Sequence, residues 1–305
     1  YFTTPTSFFS EKEAYMKKYQ LIVDSCCDIP VEFYEKYDIT VLNYSISFNE
    51  RTYQDRKEIT ADELVSMVEK SKIMPKTEPL SVSLLQQAFE KSLKEAEHLL
   101  FLTASSFISS TYDNALYAVK EAGLSTKVSV IDSRSISSGI GLQAIGIAQD
   151  IDAKLSLEDI LARAKERRER TRLFFSIQTM DFLQKSGKCF GLTYLLGNKF
   201  HIKPIVSIED GKMQVSTLVK TKKSKKSAKH MAISFLKELK QENIDFNYPV
   251  FLPHVGAQKA VKKAIKKLDC NVGDNFVIPV TSSGVIAAHC GDDTIGVAYM
   301  AKTNR

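Results

Sequence analysis

The stretch LLFLTASSFISSTYDNALYAV (99–119) joins an apolar run to a helical pattern through a turn rich in hydroxyl groups. The run LLFL (99–102) is typical of a buried strand, and Ala115 and Val119 fall on one face of the helix that follows. The start of a helix offers unpaired N–H groups and the positive end of its dipole, which favour an anion. Because no histidine, carboxylate or lysine lies between Ala104 and Tyr112, the turn is expected to bind an anion rather than to perform acid–base chemistry.

The first half of the chain repeats this alternation of strand and helix. Strands are predicted at 21–23, 41–46, 99–103 and 128–131, and helix starts are predicted where Asp28 precedes Pro30, at the capping box of Thr60 and Glu63, and at Ser81. Apolar strands separated by helices indicate an α/β fold with a parallel sheet. The polar pairs after three strands, among them Asp24-Ser25 and Asp132-Ser133, should meet at the carboxyl edge, where such sheets bind ligands.

The second half predicts a mixed sheet. Asp210-Gly211 between two alternating runs is a hairpin signal, and further strands are expected at 173–177, 250–252 and 276–278. The run 285–288 is interpreted as a strand that ends at His289, the segment 294–300 as a closing strand, and 180–183 as the start of a helix. We therefore expect an N-terminal α/β domain over 16–170 and a C-terminal α/β domain over 171–305. Residues 1–15, which precede Met16, are interpreted as an extension, natural or left by cloning.

Composition excludes several classes of protein. The 42 basic and 36 acidic side chains give a mild net charge of +6, and the lysine-rich run 220–229 contains no aromatic residue, so nucleic acid is not expected as a partner. No apolar run is long enough to span a membrane, although transient contact with a membrane surface is compatible with the sequence. The five cysteines form no CxxC pair, which favours reduced thiols in a cytoplasmic protein without a structural metal.

Several candidate site residues have two interpretations each. Ser109, Ser110 and Thr111 are either helix caps or donors to an anion, and their crowding favours the anion site. Asp24 and Asp132 could bind Mg²⁺, but capping of the following helices is the preferred interpretation. His289 could act in acid–base or metal chemistry, with a backbone-bonded histidine preferred. The lysines from Lys220 onward are either a solvated surface or a contact for an acidic partner or a phosphate. The sequence contains no Walker loop, GxGxxG, HExxH or GxSxG motif.

The order of these pieces resembles the DegV family of bacterial fatty-acid-binding proteins, from about residue 19 to 302. The similarity includes IVDSCCDIP (22–30), TEPLS (77–81) where the family has Thr-Ser-Gln-Pro-Ser, and SSFISSTY (105–112) where it has Ser-Ser-x-Leu-Ser-Gly-Thr-Tyr. VIDS (130–133) and IKPI (202–205) also agree. The sequence departs from the family at Ser110, which replaces a glycine, at KSGK (185–188), which replaces Gly-Gly-Arg, and at HCGDD (289–293), which replaces His-x-Gly-Pro-Gly.

This resemblance implies a two-domain fold that holds a long-chain fatty acid between its domains. It implies further that Thr77 and Ser109, with Ser110 beside them, bind the carboxylate. By the same analogy the protein is not itself an enzyme and uses no cofactor. Instead it presents the bound acid to a separate kinase subunit that makes acyl phosphate, with His289 and Lys220 near the partner or the phosphate. Two other functions are compatible with the residues: a Mg²⁺-dependent small-molecule kinase or phosphatase that uses Asp24 and Asp132, and a lipid-responsive regulator.

Overall fold

A four-stranded parallel sheet forms the first half of the protein, as the sequence predicts. The computed structural model describes residues 16–177, 202–220, 243–272 and 276–303. The strand order is β2-β1-β6-β7, and every neighbouring pair is parallel. Residues 99–102 are fully buried, because helices cover the sheet. The strands are β1 (Lys17–Asp24), β2 (Thr40–Leu42), β6 (Ala96–Thr103) and β7 (Val128–Asp132).

A small antiparallel sheet with the order β4-β3-β5 stands beside it. The single strand predicted at 41–46 is wrong, since β2 ends at Leu42 and a strand of the small sheet begins at Ser45. The reason is that the main-chain N–H of Tyr44 donates to the Ser25 hydroxyl at 3.1 Å and not to a neighbouring strand. The strands of this sheet are β3 (Ser45–Phe48), β4 (Arg51–Gln54) and β5 (Lys76–Glu78).

The second half contains the expected mixed sheet, with the order β10-β9-β8-β13-β11-β12. Only β11 and β12 pair in parallel among its described strands. The Asp210-Gly211 hairpin is confirmed, and both residues have a positive φ, as the tight turn requires. The strands are β8 (Thr171–Ser176), β9 (Ile202–Glu209), β10 (Lys212–Lys220), β11 (Val250–Val255), β12 (Val277–Thr281) and β13 (Thr294–Met300).

Eight helices lie within the described residues. The caps predicted at Thr60 and Ser81 are confirmed, since Thr60 forms a full capping box with Glu63 and Ser81 accepts from Leu84 N–H. The helices are α1 (Val31–Lys36), α2 (Ala61–Ser71), α3 (Val82–Ser92), α4 (Thr111–Glu121), α5 (Ser138–Asp152), α6 (Leu157–Arg170), α7 (Gln258–Val272) and α8 (Gly284–Cys290). None of these described helices is long and apolar enough to cross a membrane.

Two predicted helix and strand assignments are wrong. The run 285–288, interpreted as a strand, lies in α8, so His289 is a helical residue. Four apolar residues fit a buried helix as well as a strand, and the cap decides: the Ser283 hydroxyl accepts from Ile286 N–H at 3.3 Å. Asp28 does not cap α1, whose first flanking residue is Pro30 without a side-chain cap. The Asp28 carboxylate is instead buried against Arg56.

Helix α5 connects the two halves. It is buried on nearly all of its surface and packs against strands of both large sheets, β1 and β6 on one side and β8, β11 and β13 on the other. One apolar cluster therefore runs from Ile22 through α5 to Phe251 and Met300. The proposed domain boundary at 170/171 falls between α6 and β8, and the division into two domains stays a prediction. Residues 1–15 and the helix expected at 180–183 lie outside the described residues.

Candidate functional site

A cavity of about 130 Å³ lies between the carboxyl edge of the parallel sheet and α8. Its walls come from both halves of the chain: the loops after β1, β2, β5, β6 and β7, the β9–β10 hairpin and α8. No lysine or arginine is among the lining residues that the structure describes. The lining residues are Cys26, Tyr44, Thr77, Pro79, Ala104, Ile108, Ser109, Ser110, Ile136, Met213, Val285, Ile286, His289 and Cys290.

Three hydroxyl groups form a triangle at one end of the cavity. The Tyr44 hydroxyl lies 2.8 Å from Ser109 Oγ and 2.6 Å from Thr111 Oγ1, and Ser109 Oγ lies 3.2 Å from Thr111 Oγ1. Thr111 is fully buried behind the other two. Because each hydroxyl can turn its proton, the triangle can redirect one donor toward a ligand in the cavity. Sequence reasoning missed Tyr44, which lies 65 residues before Ser109 and contacts it only through the fold.

Thr77 and His289 come from separate halves of the chain and meet in the lining of the cavity. Thr77 Oγ1 lies 2.9 Å from His289 Nε2, although 212 residues separate them. Thr77 reaches this position from β5, and His289 from the last turn of α8. The structure therefore brings Thr77, Ser109, Ser110 and His289 around one space. That they bind a carboxylate or face a partner stays a prediction.

Ser110 is the flanking residue of α4, but its side chain makes no capping hydrogen bond. The capping role falls to Ser109, whose hydroxyl accepts from Thr111 N–H at 3.3 Å. Both serines line the cavity. The Ser110 hydroxyl can therefore donate to a ligand in the cavity, because α4 does not depend on it for a cap.

Asp24 lies beneath the hydroxyl triangle. Its carboxylate accepts hydrogen bonds from Ala104 N–H at 2.6 Å, from Cys26 N–H at 3.0 Å and from the Tyr44 hydroxyl at 3.5 Å. Burial raises the pKa of the Asp24 carboxyl to about 7, although these donors counteract the rise. At neutral pH a proton on Asp24 is therefore within reach of the hydroxyl network.

Asp24 makes stability depend on pH, and Asp24→Asn tests this. A carboxyl whose pKa is higher in the folded than in the unfolded state destabilises the fold once it ionises. The penalty is absent below the ordinary carboxyl pKa and grows as the pH rises through 7. We expect the wild-type free energy of unfolding to fall between pH 5 and pH 8 by on the order of 2 kcal/mol more than that of Asp24→Asn. Urea unfolding at both pH values measures these free energies. If the free energy of unfolding falls equally in wild type and in Asp24→Asn between pH 5 and pH 8, the prediction is contradicted.

Asp132 has a different set of contacts. It accepts from the Ser106 hydroxyl at 2.6 Å, from Ser106 N–H at 3.2 Å and from Arg134 N–H at 2.9 Å. Asp24 and Asp132 therefore hold loop backbone, and the preferred interpretation of both as helix caps is wrong. Within the described residues no group of three or more His, Cys, Asp or Glu side chains is arranged to hold a metal ion.

Two further buried carboxylates fix the start of α8, which carries His289. Asp28 accepts from Ser283 N–H at 2.9 Å and Asp55 accepts from Gly284 N–H at 2.8 Å. Burial raises the pKa of the Asp55 carboxyl to about 6. Negative groups at a helix N-terminus are favourable, so these two residues anchor α8 on the first half of the chain.

The cysteines of the cavity are not nucleophiles. Cys26 and Cys290 are buried free thiols, and burial raises the pKa of Cys290 to about 12 and that of Cys26 well above its usual range. Both are neutral thiols at physiological pH and act as apolar wall. Cys189 lies outside the described residues.

A smaller cavity of about 20 Å³ continues the apolar wall toward the second sheet. It shares Ile136, Ile286 and Cys290 with the first cavity. Its other walls are Leu173, Phe175, Pro253 and Gly296 of the mixed sheet, together with Ser137, Ser282 and Thr294. A ligand with a polar head and an apolar tail would therefore meet hydroxyl groups in the first cavity and a mostly apolar wall, with a few hydroxyl groups, beyond it.

Comparison with known proteins decides the family. Residues 18–302 match the family model described as "Uncharacterised protein, DegV family". The chain belongs to the DegV family. A DegV domain-containing protein of Staphylococcus aureus is 28% identical over 291 residues, which cover 94% of this chain and 100% of the relative. A DegV domain-containing protein of Clostridium perfringens is 28% identical over 285 residues, with 93% and 99% covered.

Solved DegV structures confirm the α/β fold. A DegV family protein from Thermus thermophilus, described in terms of fatty acid binding, superposes with a TM-score of 0.84 at 24% identity and covers 93% of this chain and 99% of its own. DegV of Bacillus subtilis, described as a fatty acid binding protein, gives 0.81 at 22% identity, with 94% and 100% covered. A stearic acid-binding protein from Eubacterium ventriosum gives 0.81 at 24% identity, with 93% and 98% covered.

Lys220 and two segments of this DegV chain are the remaining features that the sequence singles out. Lys220 is the last residue of β10 and pairs through its main chain with Ile202. Its contact with a partner or a phosphate stays a prediction. The lysines at 222–229 and the segment 185–188 lie outside the described residues.

Proposed function

We propose that this DegV chain binds a long-chain fatty acid between its two halves and presents the carboxylate to a separate kinase subunit. The observation that carries the proposal is the cavity itself. It combines a cluster of neutral hydroxyl donors, including Ser109 and Thr77, with an apolar continuation past Ile286 and Cys290. The related structures that are described as fatty acid or stearic acid binding proteins support the same ligand class.

The chemistry of the cavity lining suits the head group of a fatty acid. Burial of one methylene group is worth about 0.8 kcal/mol, so a long acyl chain supplies on the order of 10 kcal/mol gross without any charge pairing. The carboxylate still needs donors once it leaves water. Ser109, Ser110 and Thr77 provide hydroxyl groups in the cavity lining, and the Tyr44 hydroxyl can supply another donor.

Neutral donors also suit a carboxylate that must react. An arginine fork would hold both carboxylate oxygens, whereas hydroxyl groups leave one oxygen free to attack the terminal phosphorus of a nucleotide held by the kinase. The products would be an acyl phosphate and the nucleoside diphosphate. His289, partly exposed and bonded to Thr77, stands where the carboxylate would meet such a partner.

The Mg²⁺-dependent kinase or phosphatase is the less favoured function. Asp24 is buried and bonded to loop backbone, and Asp132 is bonded to Ser106 and Arg134 in another loop. The two carboxylates therefore support separate turns and do not converge on one ligand. No contact in the described residues favours a regulator over a carrier.

Mass spectrometry of the purified, denatured protein tests the proposal. We expect one long-chain fatty acid to be released per chain, because the apolar wall retains such a ligand through purification. Loaded protein, mixed with ATP and a candidate kinase subunit, should then give an acyl phosphate that hydroxylamine traps. Repeated preparations that release only polar compounds, or nothing, would refute fatty acid binding. Protein that retains a fatty acid but gives no trapped acyl phosphate would refute presentation to a kinase subunit, and would leave fatty acid binding unaffected.

A further inference from the structure

A second crevice, of about 40 Å³, lies apart from the fatty acid cavity and shares none of its lining residues. It is formed by the turn after β7, the end of α6, the start of β8 and the tip of the β9–β10 hairpin. Three of its side chains are guanidinium groups and two are carboxylates. The charged lining residues are Arg134, Arg168, Glu169, Arg172 and Asp210.

The three arginines of the crevice differ in their contacts. Arg168 forms an ion pair with Glu169 at 3.2 Å. Arg172 donates to the main-chain oxygens of Glu169 at 2.7 Å and Thr303 at 2.9 Å. Arg134 Nε is buried and has no hydrogen-bond partner among the described residues. Arg134 is half-buried as a residue, but its buried Nε is a donor without an acceptor in the described part of the chain, which costs free energy, and the crevice supplies the space for one.

The backbone conformation of Arg134 provides a way to test the side chain. Its φ is +46°, in the left-handed region that favours glycine or asparagine. Replacement by glycine therefore removes the guanidinium group without adding backbone strain. The turn is fixed by the bond from Arg134 N–H to Asp132 and by the hairpin tip. A β-carbon on Gly211 would lie only 3.3 Å from the β-carbon of Arg134.

We propose that this crevice binds a phosphate group, with Arg134 as its principal ligand residue. The lining of the crevice contains three guanidinium groups and two carboxylates, so its donors outnumber its acidic acceptors. Arginine also offers paired N–H donors that match phosphate oxygens. The phosphate is either free or carried by a lipid headgroup. Phe107 is the residue that would favour a lipid, because its exposed ring could contact a membrane surface. It is 45% exposed, touches the hairpin tip and has Lys212 Nζ 4.6 Å from its ring centre.

Calorimetric titration with inorganic phosphate tests the site. We expect saturable binding with a dissociation constant on the order of 1 mM, at least about tenfold weaker binding in Arg134→Lys and none in Arg134→Gly. Lys72→Gly is the matched control: Lys72 ends α2 with a φ of +60°, so the change relieves the same strain elsewhere and should leave phosphate binding unchanged. Both glycine variants should unfold at or above the wild-type temperature without phosphate.

Vesicles distinguish the two sources of phosphate. If wild-type protein binds phosphatidylglycerol vesicles and both Arg134→Gly and Phe107→Ala abolish this binding, the phosphate belongs to a lipid headgroup. If the protein binds inorganic phosphate and Phe107→Ala leaves this binding unchanged, the phosphate belongs to a free compound. The proposal is overturned if wild-type protein binds neither probe, if Arg134→Gly binds phosphate as well as wild type does, or if Arg134→Gly unfolds well below Lys72→Gly. Fatty acid release, measured on the same variants, reports on the first cavity separately.

Discussion

Replacement of Arg56 by methionine is expected to lower the free energy of unfolding by about 3–5 kcal/mol. The Arg56 guanidinium forms an ion pair with Asp28, whose side chain is fully buried. It also donates to the main-chain oxygens of Ser25 at 2.9 Å and Cys27 at 3.0 Å. Methionine fills similar space but leaves the Asp28 carboxylate without its counter-charge and two carbonyl groups without a donor.

The loss should depend on pH in a defined direction. Burial raises the pKa of the Asp28 carboxyl, and the Arg56 guanidinium counteracts that rise. Without Arg56 the folded-state pKa rises further above the unfolded value. The cost of Arg56→Met is therefore smallest at a pH below the ordinary carboxyl pKa and grows as the pH increases toward 8. Urea unfolding at pH 5 and pH 8 measures the difference.

Two control variants separate the effect of an uncompensated buried charge from the effect of losing any ion pair. Asp28→Asn added to Arg56→Met removes the uncompensated charge but keeps an acceptor for Ser283 N–H, so it should recover much of the loss. Lys17→Met breaks the exposed ion pair of Lys17 with Asp38 and should cost at most about 1 kcal/mol. An Arg56→Met protein as stable as Lys17→Met would show that the buried pair contributes little.

The double variant Thr77→Val with Ser109→Ala is expected to weaken fatty acid binding by at least about a hundredfold. Hydrogen bonds to a charged group are worth about 1.5–3 kcal/mol each, and this change removes two donors from the cavity. Each single variant should lose roughly tenfold. Displacement of a fluorescent fatty acid from protein stripped of its ligand measures the affinity, and Ser110→Ala shows whether the third predicted residue contributes.

The free energy of unfolding of each variant distinguishes the loss of a ligand donor from the loss of a helix cap. Ser109→Ala removes the acceptor for Thr111 N–H, which costs about 1 kcal/mol of stability. Thr52→Val is the matched control for Thr77→Val, because Thr52 is an exposed threonine of β4 in the same small sheet and does not line the cavity. If affinity falls only in proportion to stability, the hydroxyl groups act as caps and not as ligand donors.

Local sequence patterns were sufficient for most of the fold and for one side of the site. The hydroxyl turn around Ser109 and the Asp210-Gly211 hairpin depend on neighbouring residues, so they could be predicted. The Tyr44 hydroxyl and the Asp24 carboxylate could not, since their partners lie up to 80 residues away. Resemblance, and not periodicity, pointed to Thr77.

The errors have the same physical origin. Asp28 has the position of a helix cap, but tertiary contacts with Arg56 and Ser283 decide its role. The run before His289 is too short for its period to separate helix from strand. In both places contacts between distant parts of the chain outweigh the local preference, and both places lie at the junction of the two halves.

The position of α5 between the two sheets has a consequence for how quickly cargo is exchanged. A hinge that parted the sheets would expose both faces of α5, which is far costlier than local opening. A bound acid would leave more readily by displacement of a small element, and α8, with seven residues, is one such element at the cavity. Its start is anchored by the carboxylates of Asp28 and Asp55, and its side packs against α2. We therefore expect the residence time of a bound acid to depend on these local contacts of α8 more than on the cohesion of the whole molecule.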